Sequence, residues 1–234
     1  MDKFIEFSSK TQGRDKAYRV VQYASKLLGW GLQELEGNDE WVKKLSQLES
    51  HASLGRKFFR LGRSIESLRA AQVTINLVDP VLKTTLTVAN INRALFLGVD
   101  NYLWMGKVGI LKVDKGWDLT SSKFYFASII LSLVRDLYAL YVGMIRLSSQ
   151  AKLDSEDATK NSFRAKYYLH LLYHCLHENS EATIDLIKNI CDLPLPGSKL
   201  GYFPNHNGFV GVCGTISSLI GVYQVANPRM KLRP

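Results

Sequence analysis

Apolar and polar positions alternate along this chain with the period of a helix. Ala17, Val20, Val21, Ala24, Leu27 and Leu28 recur every 3.6 residues after Gly13-Arg14-Asp15, a helix-start signal, and Trp41, Leu45, Leu48 and Ala52 repeat that spacing. Period-two runs bounded by turn residues are missing, so the pattern predicts an all-α fold. Two stretches break it. Residues 148–161 are polar and read as a loop or linker, and 192–207 carry Pro194, Pro196 and Pro204.

Three segments are apolar enough to raise the question of a membrane. Residues 208–226 read GFVGVCGTISSLIGVYQVA, with Thr215, Ser217, Ser218 and Gln224 as their polar members and no charge. At about 1.5 Å per residue this segment spans roughly 29 Å, close to the hydrocarbon thickness of a bilayer. It is predicted to be a transmembrane helix. Its small-xxx-small pairs, Gly214/Ser218 and Ser217/Gly221, predict a face for self-association. The basic tail 227–234 holds Arg229, Lys231 and Arg233 and no acid, which by the positive-inside rule puts it in the cytosol.

The segments 83–111 and 124–147 are interrupted by Arg93, Asp100 and Lys107, and by Arg135 and Asp136. Each fits a membrane helix with a polar partner, a helix in the interface, or a helix of a bundle. A cytosolic N-terminal half requires an even number of spans, and the second is expected at about 83–105. Arg135 and Asp136 are sequence neighbours that diverge on a helix, so they form no ready-made pair. The chain thus divides into 1–82, 83–147, 148–207, the span 208–226 and the tail 227–234.

The segment 54–75, LGRKFFRLGRSIESLRAAQVTI, carries the functional argument. As one helix it places Leu54, Phe58, Leu61, Ile65 and Leu68 within about 80° of one another, with Arg56, Arg60 and Arg63 opposite and Lys57 at the boundary. Five basic residues to one acidic over 55–69 suit a helix lying on anionic lipid. The five apolar residues are then membrane-inserting, and the four cations meet headgroups.

Composition sharpens this reading. The chain of 234 residues has 30 Lys and Arg against 21 Asp and Glu, a net charge of +9 that calls for an acidic partner. With 46% hydrophobic residues, disorder is excluded. No helix-turn-helix, Cys/His finger or ribonucleoprotein signature accompanies the arginines, so nucleic acid is not the expected partner. Three scattered cysteines, Cys175, Cys191 and Cys213, make no disulfide framework. No secretory signal or peroxisome-lumen address is expected at either end. Nucleotide, hydrolase and metalloprotease motifs are missing, so no catalytic residue, cofactor or metal is expected and the chain is not read as an enzyme. His170, His174 and His177 share a helical face, but their Leu/Tyr-rich neighbours favour an ordinary polar flank over a zinc site.

Several collinear blocks bear a family resemblance. LESHASLGRKFFRLGR at 48–63 resembles the peroxisomal membrane protein 11 family, peroxins that elongate and divide peroxisomes, and its alpha/beta branch in particular. QGRDK at 12–16, NRAL at 92–95, DNYLW at 100–104, SLVRDLY at 132–138, GTISS at 214–218 and PRMKL at 228–232 agree in order. The resemblance implies a peroxisomal membrane protein, multi-pass, with both termini cytosolic. It implies remodelling by an amphipathic helix mapped onto 54–75, and self-association through 208–234. The implied partners are anionic lipids, further copies and paralogues, fission adaptors with a dynamin-related GTPase, and the import receptor for peroxisomal membrane proteins. A second reading from a different class is a channel for small metabolites in which Arg93, Asp100, Arg135 and Asp136 line water.

Overall fold

Local signals set the helix ends in the computed structural model, which describes residues 2–114, 116–154 and 164–232. Helix α1 (Asp2–Ser9) leads into α2 (Thr11–Glu34), and α3 (Asp39–Phe59) begins where the Asn38 side chain accepts from the Glu40 amide at 2.8 Å. Gly62, in the left-handed region at φ 75°, separates α3 from α4 (Arg63–Thr74). The segment expected as one helix over 54–75 is therefore two. Asp79 caps α5 (Pro80–Lys107), accepting from Val81 at 2.8 Å and Leu82 at 3.0 Å, with Pro80 in the first turn.

Helix α6 (Gly116–Asp154) is the longest, and it runs through 148–154, where a loop is expected. The remainder of that linker, 155–161, lies outside the described residues. Then come α7 (Arg164–Glu178), α8 (Ser180–Asp192), the short α9 (Pro194–Lys199) and α10 (Asn207–Ala226), followed by a 3-10 turn at Pro228–Met230. No strand occurs among the described residues, so the fold is all-α as expected.

Packing links the helices into a ring. Helix α2 packs on α3 and α10, α10 on α8, α8 on α6, and α6 on α5; α5 carries α4 along its side and returns to α3. The α2–α10 seam is antiparallel and very close. Gly208 lies against the Trp30 ring, Gly211 against the Leu27 backbone, Gly214 against the Tyr23 ring and Gly221 against the Lys16 stem. A Cβ at Gly214 would stand 2.2 Å from the Tyr23 ring, so this approach requires glycine. Gly214, Ser217, Ser218 and Gly221, expected to face a second copy, are instead buried within the chain. The groove cut by the small residues is filled by α2.

The ring is inverted relative to a water-soluble bundle. Among the described residues, more polar and charged side chains are buried than apolar ones. The outer faces are apolar: Ile130, Val134, Leu137, Tyr141 and Ile145 form an exposed stripe on α6, and Phe209, Val212, Ile216, Leu219 and Tyr223 form one on α10. A hydrocarbon solvent favours this arrangement, since charges then face the bundle interior. Two helices are long and apolar enough to cross a bilayer, over Gly116–Ser149 and Asn207–Ala226. The latter is the predicted span. The former lies outside 83–105, where the second span is expected; within that range Asn90, Asn92, Arg93 and Asp100 lower the apolar character of α5.

Candidate functional site

Polar stripes at helical spacing converge inside the ring. Helix α6 contributes Asp118, Ser121, Ser122, Tyr125, Ser128, Ser132 and Arg135, α2 contributes Asp15, Arg19 and Gln22, and α8 contributes Asp185, Lys188, Asn189 and Asp192. With Arg93 and Asp100 from α5 and Gln224 from α10, they line a cavity of about 550 Å³. Twelve Lys and Arg side chains reach it against five Asp. The lining is therefore net positive.

Three charge networks pin the ring. In the first, Asp15 of α2 is 4% exposed and faces Arg56 Nε at 3.3 Å, Arg60 Nε at 3.7 Å and Arg63 Nη1 at 3.9 Å. Burial pushes the Asp15 carboxyl up, but Arg56, Arg60, Lys16 and Arg63 together hold it below the usual carboxylate range. Asp100 of α5 accepts from Lys57 Nζ at 2.6 Å and lies 3.2 Å from Arg60 Nη2.

The second network joins Arg19 to Asp192, with the Arg19 guanidinium also donating to Ser217 Oγ at 3.1 Å, so α2, α8 and α10 meet at one point. In the third, Arg135 folds back onto its neighbour Asp136 at 2.6 Å and bridges to Asp185 at 3.0 Å. Asp136 also accepts from Asn189 Nδ2 at 2.6 Å, and Asp185 from Gln224 Nε2 at 2.8 Å. The guanidinium arm is long enough to pair adjacent positions that diverge at Cβ, contrary to the expectation for that dipeptide.

These contacts divide the predicted site residues. Arg56, Lys57, Arg60 and Arg63, assigned to lipid headgroups, point into the cavity and pair with Asp15 and Asp100. Two carboxylates on neighbouring helices draw them inward, and neither shows in the local pattern of 54–75. Phe58, Ile65 and Leu68 lie outward, and Leu54 and Leu61 are half-buried. Of the four residues expected to line water, Arg93, Asp100 and Arg135 line the cavity; Asp136 is fully buried behind Arg135. His170 and His174 are exposed on α7, where His174 approaches Glu178 at 3.3 Å.

The residues that sequence reasoning missed are the α6 serines and the α8 cluster. Their signal is a polar stripe at 118, 121, 125, 128, 132 and 135 through an otherwise apolar helix.

The chain as a whole is similar to known proteins. A model of the peroxisomal biogenesis factor 11 family matches residues 1–226. This chain belongs to that family. Relatives include human peroxisomal membrane protein 11A, 36% identical with 100% of this chain and 99% of the relative covered. Human peroxisomal membrane protein 11B is 33% identical over the whole of both chains. A Dictyostelium discoideum homologue is 25% identical over 96% of this chain and 94% of its own. No solved structure matches. The family match takes in all three charge networks, from Asp15 on α2 to Gln224 on α10.

Proposed function

We propose that this chain is an integral protein of the peroxisomal membrane that elongates the organelle ahead of division. The reading rests on family membership, on relatives named as peroxisomal membrane proteins, and above all on the inverted surface, with apolar stripes outside and charge within. Phe58, Ile65 and Leu68 retain the wedging role expected of 54–75, since they project from the α3–α4 corner. Their insertion into the cytosolic leaflet expands that leaflet alone and favours a tubule. The cations beside them hold the corner to the ring, so lipid contact depends on apolar burial more than on headgroup charge.

Both termini face the cytosol in this reading, and anionic lipid is a partner of the cytosolic face. Further copies, paralogues, fission adaptors, a dynamin-related GTPase and the import receptor are its partners. No catalytic step is involved. The test is expression in cells lacking their own family members. The unaltered chain elongates peroxisomes, and Ile65→Glu with Leu68→Glu still sorts to them but leaves them round. Undiminished elongation by the double variant overturns the wedge.

The cavity favours a second reading, conduction of small metabolites through the ring. Purified protein in planar bilayers then passes current whose ion selectivity changes with Arg93→Glu; bilayers no leakier than protein-free ones exclude it.

A further inference from the structure

The cavity holds more positive charge than its carboxylates neutralise. Asp15 is already shared among three arginines, and Asp185 between Arg135 and Lys188. Lys16 of α2, Arg93 of α5 and Lys231 of the tail line the same space, and among the described residues none has a carboxylate within 4 Å. Arg93 and Lys231 line the cavity and keep part of their surface open to solvent. Burial, and after it the Arg19 charge, hold the Lys16 ammonium well below its ordinary value.

Like charges gathered in a partly enclosed space repel more strongly than at an open surface, where water and salt screen them more fully. A counter-anion relieves that repulsion. A guanidinium fork and two ammonium groups arriving from α2, α5 and the tail suit a compact, multiply charged oxyanion, which offers an acceptor in each direction. A lone carboxylate offers two oxygens in one plane.

We propose that the ring binds a multiply charged phosphate group in this cavity, held by Lys16, Arg93 and Lys231. The group belongs either to a soluble phosphorylated solute or to the headgroup of a phosphoinositide. Binding does not depend on whether solute passes through the ring or on whether the α3–α4 corner bends the bilayer.

The test uses the full chain in phosphatidylcholine nanodiscs with pyrophosphate as probe, read by calorimetry and by thermal unfolding. Pyrophosphate binds and raises the unfolding temperature, as any ligand selective for the folded state does. Arg93→Gln and Lys231→Gln each weaken binding about tenfold or more, while exposed Arg69→Gln leaves it unchanged. The ligand-free Arg93→Gln protein unfolds no earlier than the unaltered one, because the substitution removes repulsion; a cation with a purely structural role would give the opposite shift. Should Arg93→Gln fail to fold, Lys231→Gln decides alone. Absence of a thermal shift at millimolar pyrophosphate, or equal losses in Arg69→Gln and the cavity variants, overturns the site. Discs containing phosphatidylinositol bisphosphate separate the two sources. A headgroup that occupies the cavity weakens pyrophosphate binding about tenfold, whereas unchanged binding assigns the site to a soluble phosphate.

Discussion

Lys57 illustrates how far a side chain's role depends on partners remote in sequence. Its Nζ donates to Asp100 at 2.6 Å across 43 residues, and both side chains are nearly buried. Removing one member of a buried pair strands the other's charge, at a cost of about 3–5 kcal/mol, whereas replacing both with apolar groups is often close to neutral. Lys57→Met and Asp100→Leu are each expected to lower the unfolding temperature in detergent by several degrees. The double variant should recover most of that loss, although Arg60 also leans on Asp100 and leaves a residue of the cost. Purely additive losses would show that the two residues act separately. None of this is legible in 54–63, where the arginines display only their own helical face. Asp15 and Asp100 sit in other helices, and only tertiary structure brings them within 4 Å.

Among the elements, α10 was readable and the 54–75 segment was not. The uncharged run 208–226 announces its helix and its small-residue face directly; what it cannot announce is the occupant of that face. The structure gives the place to α2, and Gly214 sets the distance. Gly214→Ala drives a methyl group toward the Tyr23 ring and is expected to destabilise the folded protein by about 1–3 kcal/mol, the usual cost of overpacking. Thermal unfolding measures it, and cross-linking yield between copies should fall only in proportion to folding. A selective loss of cross-linking with stability intact would restore the face to self-association.

The break at Gly62 escaped periodicity because Leu61 and Ile65 keep helical spacing across it. Gly62→Ala forces a Cβ into the left-handed region at about 1–2 kcal/mol. It should also raise the helix content of the folded chain by circular dichroism, as α3 and α4 begin to fuse. For α6 the inward stripe was legible in principle. Its direction was not, since a polar stripe faces outward in water and inward in hydrocarbon, and spacing is the same in both.

At the scale of the whole molecule, part of the charge surplus seen in composition lines the lumen. Electrostatic focusing in a net-positive cavity concentrates anions there. A cysteine placed in the lumen by Ser132→Cys, with Cys175, Cys191 and Cys213 removed, should react faster with an anionic methanethiosulfonate than with its cationic counterpart. That preference should shrink as salt is raised. Leu219→Cys, on the outer face of α10, should show no such preference, and a label there should be quenched by doxyl lipids. Equal anion and cation rates at both positions would remove the argument for an internal positive field.

The seam between α2 and α10 also dictates an order of events during synthesis. Arg19 finds Asp192 only 173 residues later and Ser217 only 198 residues later. Until the last helix leaves the ribosome, the charged face of α2 has no cover and the glycine groove no counterpart. Contacts this distant in sequence form slowly, after the entropy of a long loop has been overcome. The ring therefore closes only after α10 has been made, and a nascent chain must be kept from the wrong solvent for the whole interval.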